Sequence, residues 1–268
     1  MMSFIFIVGA CASAITSAPT PSLPLQEPSL TSEPILVTPL ESAFAPGDPT
    51  VSPPDDIAAS HTVSFDTPDG ATITGELYGS GETAVIFSVM GNCKRGWDEM
   101  ADIVAQHEMM ALTYQWRGCR ESGSVDENEI QKFVDDLRGA ISFMRDNGAK
   151  KIILAGASLG GSASAKLAVE SQTTGLIVIA SPPEISQWGF EVEAADLDTN
   201  IPKLFITAEN DNTVPASATR NLYDLAAELK EWQTYPGTAH GTDLFETEIG
   251  TELEGRILEF ILAIAATP

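Results

Sequence analysis

Three residues in the second half of the chain have the types and the order needed for acyl transfer through a covalent intermediate. Ser158 lies in Gly156-Ala157-Ser158-Leu159-Gly160, a G-x-S-x-G run. A serine hydroxyl is a weak nucleophile and needs a base to take its proton, and that base needs a carboxylate to orient it. The chain has three histidines, His61, His107 and His240. His61 precedes the first predicted strand and His107 closes a predicted surface helix. Only His240, in Pro236-Gly237-Thr238-Ala239-His240-Gly241, follows a strand at its carboxyl end. Asp211, in Glu209-Asn210-Asp211-Asn212-Thr213-Val214-Pro215, follows the preceding strand and is the expected partner. Glu209 and Asp243 are its rivals, one closer to the strand end and the other at the start of the closing helix.

These side chains work together only if the elements around them bring them together. A G-x-S-x-G run means little alone; it becomes informative between a buried strand and a helix, where the chain must turn sharply and leaves no room for Cβ atoms beside the serine. Here Lys151–Ala155 reads as a buried strand and Ser158–Ser171 as a helix rich in small residues. His61–Thr67 and Ala71–Tyr78 alternate as an antiparallel hairpin around Pro68-Asp69-Gly70. Thr83–Val89, Met109–Trp116, Thr174–Ala180, Lys203–Ala208 and Glu231–Tyr235 read as further strands. Helices are expected over Trp97–His107, Glu127–Asn147, Ser217–Glu228 and Leu244–Ala265. The alternation predicts an α/β fold with a mostly parallel sheet of about eight strands covered by helices on both faces, with the site in the loops at the strands' carboxyl ends.

Composition narrows the function. The 268 residues carry 38 acidic against 14 basic side chains, a formal charge of −24, which argues against a nucleic-acid groove or adhesion to an anionic bilayer. Three cysteines and three histidines cannot build a disulfide scaffold or a histidine-rich metal centre. No dinucleotide fingerprint, phosphate loop or metal-ligand cluster occurs, and serine–histidine–aspartate chemistry needs no cofactor. Residues 12–56 hold ten of the seventeen prolines amid Ser and Thr, and read as a disordered tether. The folded domain is expected over 57–268.

Two resemblances add to this reading. Phe4–Ile15 is apolar but too short to span a bilayer, and Val8-Gly9-Ala10-Cys11 resembles the end of a bacterial lipoprotein signal. That resemblance implies removal of the segment before Cys11, lipidation of Cys11, and an extracytoplasmic protein anchored to the membrane; plain secretion is the alternative. The second covers about residues 60–265. Gly156–Gly161, Asp211 with Val214-Pro215, His240-Gly241, and the Arg117-Gly118-Cys119-Arg120-Glu121-Ser122 loop resemble an α/β-hydrolase of the compact dienelactone-hydrolase or serine-esterase kind. The Ser, Asp, His order is that expected of this fold. Dienelactone hydrolases proper use a cysteine, so Ser158 favours the esterase reading.

The resemblance implies further roles. The oxyanion hole would use the Leu159 backbone N–H and one from the loop Ser88-Val89-Met90-Gly91-Asn92-Cys93, with Asn92 the expected donor and Cys93 its rival. The loops holding Cys93 and Cys119 follow strands that are adjacent in such folds, so a disulfide could form between them. The segment Ser181–Pro202 is too small for a lid domain; Trp188 and Phe190, with Val192, would form a short apolar wall or simply pack a crossover. The expected partner is a small or medium ester. A peptidase of the prolyl-oligopeptidase class and a non-catalytic binding protein are the alternatives. The local basic group Lys94, Arg95, Arg117 and Arg120 is expected to bridge to Asp98, Glu99 or Glu121 rather than to attract an acidic substrate.

Overall fold

The computed structural model describes residues 60–88, 93, 96–119 and 126–267. The readings made for residues 1–56, including Cys11 and the tether, lie outside the described residues. In chain order the elements are β1 (His61–Asp66), β2 (Thr72–Gly79), β3 (Thr83–Ser88), α1 (Asp98–Ala105), β4 (Met110–Tyr114), α2 (Glu127–Ile130), α3 (Phe133–Asp146), β5 (Lys151–Ala157), α4 (Leu159–Leu167) and β6 (Gly175–Ile179). They continue with β7 (Glu184–Ile185), β8 (Phe190–Glu191), β9 (Lys203–Ala208), α5 (Ala216–Leu225), β10 (Lys230–Tyr235) and α6 (Gly250–Ala265).

Eight strands form one sheet in the order β1-β2-β4-β3-β5-β6-β9-β10. From β4 to β10 every pairing is parallel, while β2 runs antiparallel to both β1 and β4. This is the sheet of an α/β-hydrolase fold. The central strands form because both of their faces are covered. On β3 and β5, Ile86 and Leu154 pack with α3, α4 and α5, including Leu137, Ala163 and Leu222. Their neighbours Val85, Phe87 and Ile153 point the other way, onto Met100 of α1 and Ile257 and Phe260 of α6. The two-residue period of a strand thus splits the core into two layers.

Two expected helices are broken. The Glu127–Asn147 stretch turns at Gln131–Lys132, giving α2 and α3, and Ile130 packs so closely on Gly118 that a Cβ there would meet the Ile130 backbone. The closing helix begins at Gly250 rather than Leu244. Before it, Gly241–Glu246 form a 3-10 turn, and Thr247 adopts an extended conformation with its Oγ1 donating to Leu244 O at 2.8 Å. Gly250 then sits against the Phe245 carbonyl, where any Cβ would collide. Local turn chemistry overrides the helical periodicity at both places.

Lys203, the first residue of β9, is wholly buried. Its Nζ donates to four backbone carbonyls, those of Thr199, Ile201, Ala227 and Glu228, at 2.6, 3.0, 3.3 and 3.0 Å. At the start of β5, Lys151 Nζ donates to Ala265 O at 3.1 Å and to Thr267 O, which fastens the end of α6 to the amino edge of the sheet. Since β1 is antiparallel to β2 and β2 to β4, β1 runs in the sense of the parallel strands and His61 also lies at the amino edge.

Candidate active site

Ser158 stands between β5 and α4 with φ 54° and ψ −124°, in a region that side-chain-bearing residues seldom occupy. The surrounding sequence forces and tolerates this turn. A Cβ on Gly156 would run into the Gly160 carbonyl, and one on Gly161 into Ser181 Oγ. The Ser158 N–H donates to Ile179 O of β6 at 2.9 Å, and its carbonyl accepts from the N–H groups of Gly161 and Ser162, both at 3.1 Å. The backbone is therefore fully engaged. The hydroxyl makes no capping bond to α4, so the serine is not placed there as an ordinary helix cap.

His240 and Asp211 come together at the same edge of the sheet, two and three positions along from β5 in sheet order. His240 Nδ1 lies 2.8 Å from Asp211 Oδ2. The other oxygen, Oδ1, accepts the backbone N–H groups of Thr213 and Val214 at 2.8 and 2.9 Å. The Asp211 side chain is completely buried and that of His240 is 12% exposed. Backbone bonds join the two loops: Glu209 N–H to Tyr235 O, Asn210 N–H to Gly237 O, and Asn212 N–H to Thr238 O. Of the three carboxylates considered, Asp211 is the one bonded to the imidazole. Glu209 points to solvent, and Asp243 lies within the 3-10 turn after His240.

Met90, Gly91 and Asn92 lie outside the described residues. Cys93, just beyond them, is joined to Cys119 in a disulfide with the Cα atoms 5.5 Å apart. The bond links the loop after β3 to the loop after β4. Leu159 opens α4 beside the serine, and its side chain packs on the same core layer as Trp188, Phe190 and Cys119. Trp188 and Phe190 flank Gly189, whose φ of 63° turns the β7–β8 hairpin. Their half-buried rings lie 6.1 and 5.0 Å from the Phe133 ring, which stacks on Trp116 at 5.4 Å. The insertion thus packs on the crossover helix α3, and Val192 is buried beneath it.

Arg117 departs from expectation. Among the described residues its partners are neither Asp98 nor Glu99, and Glu121 lies outside them. Its Nε donates to Asp136 Oδ1 at 2.6 Å, its backbone N–H to Asp136 Oδ2 at 3.0 Å, and its Nη2 to Asp69 Oδ1 at 2.8 Å. The guanidinium holds the Asp69 carboxyl well below the usual carboxylate range, whereas burial pushes the Asp136 carboxyl up. These partners are 48 and 19 residues away in sequence, so nothing local to the Arg117 loop could have named them. Lys94, Arg95 and Arg120 lie outside the described residues. Among the described residues no group of three or more His, Cys, Asp or Glu side chains could hold a metal. A cavity of about 90 Å³ lined by Glu76, Cys93, Trp97, Asp98 and Tyr114 touches neither Ser158 nor His240.

No family model matches the chain, and no curated protein matches it in sequence. Solved structures do match in shape. An esterase domain of a Rhodothermus marinus protein shares 15% identity over 76% of this chain and 99% of its own, with a TM-score of 0.58. A Pyrococcus furiosus esterase shares 14% over 79% of this chain and 95% of its own, with a TM-score of 0.63. An α/β hydrolase from a Penicillium species shares 18% over 78% of this chain and 100% of its own, with a TM-score of 0.63. At such identities it is the shape alone that the likeness establishes, and that shape is the α/β-hydrolase fold.

Proposed function

We propose that this protein is a serine hydrolase that cleaves carboxylic esters of small to medium size. The observation that carries this reading is Ser158 itself, held at φ 54° with its hydroxyl unused as a helix cap. The His240–Asp211 pair at the same sheet edge supports it, as do the esterases among the solved structures of like shape.

The chemistry follows from these roles. Asp211 keeps the proton on His240 Nδ1, leaving Nε2 as the base. His240 takes the Ser158 proton as Oγ attacks the ester carbonyl. The backbone N–H groups of Leu159 and Asn92 receive the negative charge that develops on the carbonyl oxygen. The carbon–oxygen bond to the alcohol breaks, and the alcohol leaves with the proton from His240. Water, deprotonated by the same histidine, then releases the acid from Ser158. Trp188 and Phe190, which share a core layer with Leu159, form a short apolar wall beside the serine in this reading. Cys11 anchors the protein to a membrane through lipid; labelling with an alkyne fatty acid that vanishes in Cys11→Ala tests that part separately.

The test of the main reading is a series of p-nitrophenyl esters from acetyl to palmitoyl, run with wild type, Ser158→Ala and a proline-linked chromogenic peptide. Short esters should be cleaved, with activity falling by at least about 10⁴-fold in the variant. Cleavage of the peptide alone would make the protein a peptidase. A folded wild type that is inert and also ignores a fluorophosphonate probe would overturn the reading.

A further inference from the structure

Trp97 takes no part in the chemistry above, yet its contacts make it a joint between two parts of the site. The side chain is 1% exposed. Its indole N–H donates to the carbonyl of Ser88, the last residue of β3, at 2.9 Å. One face of the ring stacks on Phe87 at 4.9 Å, and the ring meets Phe245 in a T-shaped contact at 5.3 Å. Phe245 belongs to the 3-10 turn that springs directly from His240. The residue before Trp97 presses on that turn as well: a Cβ on Gly96 would collide with Thr242 Oγ1. Residues 96 and 97 are therefore wedged between the carboxyl end of β3 and the turn that carries the histidine.

Asp211 secures His240 through a single ring nitrogen. One hydrogen bond fixes a point and leaves the ring free to tilt about it, so the backbone after His240 needs its own support. We propose that Trp97 is a positioning residue for His240, which ties the turn Gly241–Glu246 to the end of β3 and so fixes where Nε2 stands. The proposal rests on His240 being the catalytic base. Trp97 touches no reacting group, and its effect is one of placement. A displacement of about 1 Å in a catalytic group can cost on the order of 100-fold in rate.

The test uses the full chain and the ester best cleaved by wild type. Trp97→Leu removes both the Ser88 hydrogen bond and the ring contacts. It should lower kcat about tenfold or more while KM stays within about twofold. Trp97→Phe keeps a ring and loses the N–H, and should fall between the two. Phe245→Leu, which leaves Trp97 in place, should cost about threefold in kcat and guards against a Trp97→Leu protein that fails to fold. A structural defect alone would multiply with any other loss, whereas placement of His240 should not. In an Asp211→Asn background, where the imidazole is already compromised, the Trp97→Leu penalty should therefore shrink to less than about threefold. Unchanged kcat in both Trp97 variants of an active enzyme, or an undiminished penalty in the Asp211→Asn background, would overturn the proposal and leave the hydrolase reading intact. An inert wild type would overturn both.

Discussion

Replacing Asp211 by asparagine should switch His240 from one tautomer to the other while leaving the fold untouched. The structure dictates how the new side chain must sit. Oδ1 accepts two backbone N–H groups, from Thr213 and Val214, so the carboxamide must keep its oxygen there. Its NH₂ then takes the place of Oδ2, 2.8 Å from His240 Nδ1. Two donors cannot face each other, so Nδ1 must become the acceptor and the ring proton moves to Nε2. A protonated Nε2 cannot receive the proton of Ser158. The expected loss is about 10⁴-fold in kcat, or about 5.5 kcal/mol of activation free energy. Stability should change by less than about 1 kcal/mol, because all three hydrogen bonds have a counterpart in the variant. Asp211→Ala offers the contrast: it strands both backbone N–H groups and should cost about 2 kcal/mol of stability as well as activity. Ester kinetics, urea unfolding and a proton–nitrogen NMR spectrum of the imidazoles read the three effects separately. An Asp211→Asn enzyme within tenfold of wild type, or one whose His240 still carries its proton on Nδ1, would show that Asp211 does not set the imidazole tautomer.

Lys203→Met should leave four partly buried carbonyls without this donor and lower stability by about 2 kcal/mol in urea unfolding, with kcat of the folded fraction unchanged. Reduction of the disulfide, or replacement of both Cys93 and Cys119 by serine, frees a span of 26 residues and should cost about 3.5 kcal/mol by chain entropy. The Asp69 carboxyl titrates lower in the folded chain than in the unfolded one, so its pair with Arg117 stabilises the fold above about pH 4 and loses that contribution as the pH falls. The gap in urea midpoint between wild type and Asp69→Asn should accordingly close on acidification.

The strands were legible because their signal is dense: Ala84–Phe87 and Ile152–Ala155 are apolar without a break, as strands buried on both faces must be. The sharp turn at Ser158 was legible because Gly156 and Gly161 answer a local steric demand. Trp97 was not, since it is marked by neither spacing nor motif, and its meaning depends on Ser88 and on Phe245, 148 residues further on. The partners of Arg117 were hidden for the same reason. The breaks in the two helices escaped because Gly250 and the Gln131–Lys132 turn interrupt stretches whose apolar periodicity continues across them. The β7–β8 hairpin escaped because two-residue strands carry no period at all.

The placement of His61 and of the end of α6 at the amino edge has a practical side. The strand that delivers Ser158 is seven residues long, so about 20 Å of sheet separates that edge from the serine. A linker fused directly at His61 or Thr267 therefore meets the domain at the sheet edge opposite Ser158. A protein immobilised on a bead or a sensor chip through either end of the domain would turn its site outward, and its turnover of soluble esters should match that of the free protein.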